Sequence, residues 1–371
     1  MRTNNIVGIL FSNVHDEKLP ELTRNRTMAS VPFGGRYRLI DFPLSNMVNS
    51  GIYNVGVVTK SNFQSLMDHL GSGKAWDLSR KREGLSLLPP FNESGGVYNS
   101  RVDALASIRN FITSVQENYV LLSDCDIVCN IDYKKVLDAH IKNKADITAI
   151  YAYGDVPQHM NEPTIYSLES DGQVRDLLIN PKIDGPANYG LNMYIFNRRV
   201  LLQIIDDCVS RNLSNFKRDV LQRNMFDYRF FAYQFEGYTK VIASMQDYYD
   251  GNMELMQCDV RQQLFNPKRP IYTKVRDDAP AHYGMDASLN NSMVADGSII
   301  EGEVDDCVLF RGVHVGKGSK LKNCVIMQDV VIGENCNLSH VVIDKDVTVT
   351  DGTSINGSDT YPVSISKGSV V

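Results

Sequence analysis

The sequence lacks the features that mark several specialised classes of protein. Its 371 residues hold no excess of basic side chains, since the formal net charge is −6, and this argues against a nucleic-acid partner. No stretch reaches the roughly 18 apolar residues that a membrane span needs, and the short apolar run near the start has no small-residue cleavage site. We therefore expect a cytoplasmic protein that contacts neither nucleic acid nor membrane.

Cysteine usage argues against a disulfide framework. The seven cysteines form no CxxC pair and are scattered along the chain. An odd and scattered set predicts reduced, mostly buried thiols. Cys125 and Cys129 are close in sequence, but no second pair accompanies them, so they do not indicate a zinc site.

An apolar run that ends in two acids is the most informative stretch that is present. Tyr119–Leu122 is followed at once by Asp124 and Asp126, which predicts a buried strand with carboxylates at its carboxyl end. In open α/β sheets ligands bind outside those ends, so the two acids could hold a divalent cation against a phosphate. The alternative is a loop that carries two solvated acids.

Strand and helix patterns alternate from Ile6 to Tyr153, which predicts a mostly parallel, doubly wound α/β sheet. The first strand-to-helix loop, Ser12–Lys18, contains no glycine, although such loops use glycine to approach phosphates. Asp103–Gln116 has helical periodicity. The segment Ser72–Tyr98 is rich in glycine, serine and proline, which predicts a long mobile loop that includes the single tryptophan, Trp76.

A repeat with a step of 17 residues follows the α/β region. Asp306–Leu309, Asn323–Ile326 and His340–Ile343 align as equivalent windows at that step. Three inward aliphatic positions per step describe a triangular coil, the left-handed parallel β-helix of hexapeptide proteins. We assign residues 1–262 to the α/β domain, 263–290 to a linker and 291–371 to the β-helix. The open ends of so short a stack favour an oligomer.

Four stretches resemble the glucose-1-phosphate adenylyltransferase family of nucleotidyltransferases, and the resemblance covers essentially the whole chain. Val31–Asn46, VPFGGRYRLIDFPLSN, is similar to the family's VPFGGKYRIIDFxLSN. Arg101–Ala104 aligns with the family's GTADA, Phe216–Val220 with FGKDI, and Gly237–Met256 with GYWKDVGTIEAYWEANMDLL. The resemblance implies a Rossmann-like nucleotidyltransferase domain before the β-helix. It marks as family-motif positions Gly34, Gly35, Arg36, Asp41, Asp103 and Asp219.

The family joins a sugar phosphate to the α-phosphate of ATP with the help of Mg²⁺ and releases pyrophosphate, a reaction that depends on positioning and electrostatic stabilisation. The resemblance places the first metal-binding acid at Asp126 and a valine, Val241, at the second. The glycine-rich phosphate loop is replaced by Ser12–Lys18, in which Asp16 and Glu17 would repel ATP. We therefore expect no intact catalytic set and no productive binding of Mg²⁺ or ATP, with Asp126 alone left for a metal.

Vestiges of a sugar-phosphate pocket are expected at Tyr98, Lys182 and Phe216. The missing groups resemble the D-type regulatory subunit of the family, which implies a hetero-oligomer, expected to be a tetramer, with a catalytic subunit of glycogen biosynthesis. Two alternatives stay open. The chain could itself be active, alone or as a homo-oligomer, with ligands from Asp124, Asp247 and Lys182, or it could be a stand-alone sensor of a sugar phosphate or nucleotide.

Basic residues near the predicted domain junction suggest a further ligand. Lys268, Arg269 and Lys274 could bind an anionic effector, as the family's junctions often do. The alternative is a solvated linker with scattered charge.

Overall fold

The computed structural model describes residues 5–89 and 98–371. The strands of the N-terminal domain are β1 (Ile6–Phe11), β2 (Pro32–Phe33), β3 (Tyr37–Arg38), β4 (Asn54–Val58), β5 (Gly84–Leu88), β6 (Tyr119–Asp124), β7 (Ile127–Cys129), β8 (Ile147–Gly154), β9 (Thr164–Leu168), β10 (Val174–Ile179), β11 (Ala187–Asn197), β12 (Phe230–Gln234) and β13 (Thr239–Val241). Its α-helices are α1 (Pro20–Thr23), α2 (Asp41–Asn49), α3 (Gln64–Leu70), α4 (Arg101–Ser107), α5 (Arg109–Ser114), α6 (Tyr133–Lys142), α7 (Arg198–Ser210), α8 (Met245–Glu254) and α9 (Cys258–Leu264). A π-helix spans Phe216–Gln222, and 3₁₀ turns span Asp16–Lys18, Met28–Ser30 and Lys74–Trp76.

The main sheet confirms the predicted Rossmann-like α/β architecture. Strands β6, β1, β4 and β5 are parallel neighbours in that order, and β11 pairs antiparallel with both β6 and β8. Alternate residues of β1 enter separate hydrophobic cores on the two faces, with Ile9 and Phe11 on one face and Leu10 on the other. Phe11 pairs with Asp124, so β1 and β6 end at the same level of the sheet. The loop after β1 therefore meets the two acids.

Two expectations for the N-terminal domain are wrong in part. Residues 84–88 form β5 and pair with β4, and Trp76 is buried with its ring edge-on to His69, so both of these parts pack on the domain, whereas residues 79–83 form an exposed connection between them. The remainder of the predicted loop, residues 90–97, lies outside the described residues. The single helix predicted over Asp103–Gln116 is two short helices that meet at Ile108, whose φ of −99° and ψ of 12° interrupt the helical backbone; Ser100 caps the start of the first.

The C-terminal domain is the predicted left-handed parallel β-helix. Its strands are β14 (His282–Tyr283), β15 (Ser288–Asn290), β16 (Met293–Val294), β17 (Ile299–Ile300), β18 (Glu303–Asp305), β19 (Val308–Leu309), β20 (His314–Val315), β21 (Lys320–Lys322), β22 (Val325–Ile326), β23 (Val331–Ile332), β24 (Asn337–Ser339), β25 (Val341–Ile343), β26 (Thr348–Val349), β27 (Ser354–Asn356) and β28 (Val363–Ile365). Every third strand belongs to the same parallel sheet, which gives three sheets.

Pairing within the coil confirms the step of 17 residues. Val304, Leu321, Leu338 and Ile355 are successive partners in one sheet. The windows that revealed the repeat begin with Asp306, Asn323 and His340, whose φ values of 50°, 52° and 51° are left-handed and form a corner. Asparagine and aspartate tolerate that conformation better than most residues. The pairing already begins at His282, within the segment that the sequence assigned to the linker.

The two domains share one hydrophobic core. Apolar side chains of the third sheet of the β-helix, including Phe310 and Met327, pack against Phe33 and Tyr248 of the N-terminal domain. A buried ion pair joins Arg26 Nη2 to Asp344 Oδ2 at 2.8 Å in the same contact. The β-helix is therefore held firmly against the domain that carries the acids. Among the described helices, none has the length and apolar character needed to cross a bilayer.

Candidate functional site

The candidate site lies at the carboxyl edge of the parallel strands. A cavity of about 530 Å³ opens there, between the loop after β1, the segment after β4 and the beginning of α4. Its lining includes Asn13, Asp16, Lys60, Tyr98 and Arg101. This is the edge at which open α/β sheets bind their ligands.

The two acids lie beside this cavity and are almost completely buried, with 1% of Asp124 and 3% of Asp126 exposed. His15 Nε2 is 3.0 Å from Asp124 Oδ2 and 3.4 Å from Asp126 Oδ2. Arg101 donates from its guanidinium to the other oxygen of Asp124. Asp126 Oδ1 has no hydrogen-bond partner within the described structure. The acids are thus held by two cationic or polar groups of the same chain.

These contacts determine the directions in which the pKa values of Asp124, Asp126 and His15 are shifted. Burial alone would raise the pKa of Asp124, but Arg101 and His15 outweigh burial and lower it. Burial, with the charge of Asp124 added, raises the pKa of Asp126. Burial would lower the pKa of His15, yet the carboxylates of Asp126 and Asp124 raise it. The cluster therefore favours a charged histidine and a charged Asp124.

Arg101 is built into the site by aromatic rings as well as by Asp124. Its guanidinium carbon lies 4.6 Å from the ring centroid of Phe11, 4.8 Å from that of Phe216 and 5.9 Å from that of Tyr194. These rings come from β1, the π-helix and β11, so three elements fix one side chain. Cation–π contacts at such distances are favourable, and more so when the cation is desolvated.

The polar side chains of the loop after β1 form hydrogen bonds within the loop and with neighbouring segments. Asp16 accepts hydrogen bonds from Met28 N at 2.7 Å and from Asn13 Nδ2 at 2.5 Å. Asn13 in turn accepts from Lys60 N at 2.9 Å and donates to Ser61 O at 3.1 Å. Burial raises the pKa of the Asp16 carboxyl to about 6, even though those hydrogen bonds oppose the shift. These side chains therefore fix the loop against the segments that precede β2 and follow β4.

Val241 lies next to Asp126, where the resemblance places a second acid. It pairs with Ile127 across the short β7–β13 ladder, and the neighbouring Ile242 N donates to Asp126 O at 2.8 Å. Its side chain is 4% exposed and belongs to the core cluster that includes Ile127 and Cys129. The side chain at this position therefore packs against apolar neighbours and offers no oxygen to a metal.

His15, Asp124 and Asp126 are the described residues whose donor atoms come close enough to share a metal ion. This set does not fit Mg²⁺, which prefers oxygen ligands in octahedral geometry and keeps several waters. One ligand would be an imidazole, one Asp124 oxygen is already held by Arg101, and the place of a further acid is taken by Val241.

The residues predicted for the sugar-phosphate pocket do not all lie together in the structure. Tyr98 lines the cavity, with Lys60 Nζ 5.8 Å from its ring centroid, and Phe216 contacts Arg101. Lys182 lies in an exposed loop after β10. Asp247 lies in the first turn of α8 and accepts from Ser244 Oγ, the N-cap of that helix, at 2.8 Å, so it does not join the acids as the active-enzyme alternative required.

The family-motif positions have structural contacts. Gly34 and Gly35, with φ of 61° and 80°, form the turn between β2 and β3. Asp41 is buried and its Oδ1 lies 2.6 Å from His69 Nε2. Asp103 lies in the first turn of α4 and Asp219 in the first turn of the π-helix. The remaining motif position, Arg36, is exposed and lines a second cavity.

Sequence reasoning missed His15 and Arg101. Both carried a signal in the alignment. Arg101 stands where the GTADA motif has threonine, three residues after the end of the segment predicted to be a loop, and His15 lies in the loop that lacks the family's glycines. The pattern that would have identified them is a basic residue in a family motif combined with the loss of the second metal-binding acid.

The second cavity, of about 390 Å³, lies at the junction of the two domains. Its lining has one acidic side chain, Asp68, and six basic ones: Arg36, Arg38, Lys274, Arg276, Arg311 and Lys367. Arg311 is 6% exposed, and its Nε has no hydrogen-bond partner among the described residues; the same holds for the buried Gln328 Oε1. Burial lowers the pKa of Arg38 to about 10. The cavity therefore has a strong positive field.

The structure separates the three basic residues suggested as an effector site. Lys274 lines the junction cavity and donates to Asp68 O at 2.6 Å. Arg269 instead holds the segment after β7, with its Nη1 3.2 Å from Asp132 Oδ1 and its Nε 3.1 Å from Asn130 Oδ1. Lys268 is exposed next to it.

Comparison with known proteins agrees with this architecture. The nucleotidyl transferase family model matches residues 15–257, and the GlmU-like C-terminal hexapeptide model matches residues 276–362. The chain is 36% identical over 328 residues to the glycogen biosynthesis protein GlgD of Bacillus subtilis (strain 168), covering 87% of this chain and 84% of that relative. It is 38% identical to GlgD of Geobacillus stearothermophilus over 344 residues, with 85% and 82% covered.

The chain is similar to a glucose-1-phosphate adenylyltransferase to nearly the same extent. Glucose-1-phosphate adenylyltransferase of Clostridium perfringens (strain SM101 / Type A) is 33% identical over 330 residues, covering 87% of this chain and 84% of that relative. The chain therefore belongs to the nucleotidyltransferase family that contains the glucose-1-phosphate adenylyltransferases and the GlgD proteins.

Proposed function

We propose that this chain is a catalytically degenerate, regulatory subunit of glucose-1-phosphate adenylyltransferase in glycogen biosynthesis. It would assemble with a catalytic subunit that makes ADP-glucose and pyrophosphate from ATP and glucose 1-phosphate. The observation that carries the proposal is the state of the two acids, which are held by Arg101 and His15 beside a buried valine at position 241. Loss of one electrostatic stabiliser typically costs about a hundredfold to a thousandfold in rate, so the combined changes leave little activity.

Assembly through the β-helix is supported by its free faces. The third sheet packs on the N-terminal domain, while the outer faces of the other two sheets meet solvent. On the first sheet Ile299 and Val331 are each 42% exposed and flank His314 on the same face. Such a surface suits a partner subunit, and a tetramer of two chain types follows from the family resemblance.

The regulatory role extends to an anionic effector. We propose the junction cavity as its site, because basic lining residues outnumber acidic ones by five and the buried Arg311 Nε, which lies 3.8 Å from Asp278 Oδ2, has no hydrogen-bond partner among the described residues. Bound at the junction, a phosphorylated ligand would contact both the N-terminal domain, through Arg38, and the β-helix, through Arg311. It could therefore shift the subunit between states that act differently on a partner.

The test uses the purified chain alone and mixed with a catalytic glucose-1-phosphate adenylyltransferase subunit. We expect no ADP-glucose formation by the chain alone, a larger assembly in size-exclusion chromatography with light scattering, and a changed kcat or KM of the partner. Robust activity of the chain alone would establish the active-enzyme alternative. An unchanged partner, in both size and kinetics, would leave the stand-alone sensor as the better account.

A further inference from the structure

We propose that Arg101 is a built-in counter-cation that prevents metal binding by holding one oxygen of Asp124, and that its removal opens a divalent-cation site at Asp124 and Asp126. The inference rests on the proposed function, since it concerns why the acid pair of a catalytically degenerate chain binds no divalent cation.

The position of Arg101 carries the argument. Its guanidinium lies on Asp124 and is enclosed by Phe11, Phe216 and Tyr194. Only 8% of the residue is exposed. Aromatic faces suit a weakly hydrated guanidinium, whereas a hydrated Mg²⁺ or Mn²⁺ needs oxygen ligands and water. The aromatic side chains around Arg101 thus favour a guanidinium over a hydrated metal ion.

His15 closes the remaining side of the pair. Its Nε2 lies 3.0 Å from one carboxylate and 3.4 Å from the other, so it fills the space between Asp124 Oδ2 and Asp126 Oδ2. With Arg101 on the far oxygen of Asp124, Asp126 Oδ1 is the one oxygen of the pair without a partner among the described residues. A single free oxygen is too few for a divalent cation.

The acids were nevertheless kept buried, which is costly for carboxylates that lack a counter-charge. Arg101 supplies that charge. Replacing it by the threonine of the family motif would leave two buried acids facing a cavity of about 530 Å³, with one imidazole beside them. Carboxylate oxygens are ligands that Mn²⁺ accepts, and the removal of Arg101 would free one more of them.

The experiment measures Mn²⁺ binding by the loss of the electron paramagnetic resonance signal of free Mn²⁺. It compares the wild-type chain, Arg101→Thr, and Arg101→Thr combined with Asp126→Asn. Arg101→Lys, which keeps a positive charge, serves as the matched control. We expect Arg101→Thr to bind one Mn²⁺ at least about tenfold more tightly than the wild type, because one neighbouring positive charge has been removed. The Asp126→Asn combination should lose that site, and Arg101→Lys should not gain it.

Two results would overturn the inference. One is a wild-type chain that binds Mn²⁺ in a manner abolished by Asp126→Asn, since the site would then already be open. The other is a folded Arg101→Thr chain without the new site. If Arg101→Thr folds only with the ion, its melting temperature in Mn²⁺ against EDTA decides: recovery by Mn²⁺ supports the inference, and no recovery contradicts it.

The measurement separates this inference from the proposed function, because it uses neither substrates nor a catalytic partner. Failure to gain Mn²⁺ binding would contradict the role of Arg101 and leave the regulatory role standing. A chain that behaves as expected toward Mn²⁺ but has no effect on a partner would contradict the regulatory role alone.

Discussion

The acid pair and the junction cavity differ in how far the protein's own side chains balance their charges. At the acid pair the chain supplies its own counter-charges, so Asp124 faces Arg101 and His15 within one buried cluster. At the junction six basic side chains and one acidic side chain line the cavity, and the ion pair of Arg311 Nε with Asp278 Oδ2 is 3.8 Å long. A site that supplies its own counter-charges has less need of a charged ligand than a site with an excess of one sign of charge. The comparison supports the proposal that an anion binds at the contact between the domains rather than beside the acid pair.

The largest effect is expected when the internal pairing is broken. Asp124→Asn leaves the guanidinium of Arg101 buried beside a neutral side chain, which should lower the free energy of unfolding by about 3–5 kcal/mol. Chemical denaturation checks this. Asp206→Asn is the matched control, because it breaks an Arg–Asp pair, to Arg109, that is exposed. A loss no greater for Asp124→Asn than for Asp206→Asn would contradict the account of the acid pair.

A smaller effect is expected at the junction. Arg311→Ala removes a buried cation from the cavity and should weaken binding of a sugar bisphosphate about tenfold, the change that corresponds to about 1.4 kcal/mol. Isothermal titration calorimetry on the intact chain measures it. Arg175→Ala, which removes an exposed arginine far from the cavity lining, should leave the affinity unchanged. Equal affinities in all three chains would remove the cavity as the effector site.

The pH dependence of that binding is a finer test. Lys345 does not line the junction cavity, but its charge interacts with those of Arg38 and Lys367, which do. Burial, and then the charges of Arg38 and Arg26, lower the pKa of Lys345 to about 7, while Asp344 opposes the shift. The lysine is therefore protonated below pH 7 and mostly neutral above it, so the anion should bind about two- to threefold more tightly at pH 6 than at pH 8. Lys345→Met should flatten this dependence. A stronger dependence in Lys345→Met than in the wild type would contradict the assignment.

Stability gives an independent check on the same lysine. The folded chain binds fewer protons than the unfolded chain between the lowered pKa, about 7, and the ordinary value of 10.5. The contribution of Lys345 to the free energy of unfolding therefore rises with pH across that window. Lys345→Met should lose this rise, as measured by denaturation at several pH values.

The smallest effect is expected from restoring one acid. Val241→Asp supplies the second family carboxylate next to Asp126, but Arg101 and the loop that contains His15 still occupy the site. We expect no measurable ADP-glucose formation in a coupled pyrophosphate assay. High activity of Val241→Asp alone would mean that the loop after β1 is not disabled.

The sequence predicted the β-helix most completely, because its aliphatic residues recur at a fixed step and each turn repeats the same contacts. It predicted the strand that leads to Asp124 and Asp126 equally well, since an apolar run that stops at acids is a local signal. It did not predict β5, because the composition of the segment that contains Gly84–Leu88 suggested a loop, while pairing with β4 depends on distant residues. The same reason applies to Trp76, which is buried by contacts formed only in the folded chain.

The site itself could be predicted only in part. Alignment with the family motifs identified the missing acid at position 241 and the missing glycines in the loop after β1. It did not indicate which side chains contact the acids instead. The gains, His15 and Arg101, depend on β1 and β6 ending at the same level, which brings residues far apart in sequence into one cluster. Likewise the basic cavity combines Arg38, Lys274 and Arg311 from the two domains and the segment between them, a combination that charge patterning along the chain does not reveal.

The most direct test of the central claim is the activity of the mixed assembly when Asp126 of this chain alone is replaced by asparagine. ADP-glucose formation is compared between a catalytic partner mixed with the wild-type chain and the same partner mixed with the Asp126→Asn chain, at equal stoichiometry. The account predicts the same kcat and the same response to a sugar bisphosphate in both assemblies. A fall in kcat that follows the loss of this one carboxylate would show that the acid pair still takes part in catalysis and would contradict the account.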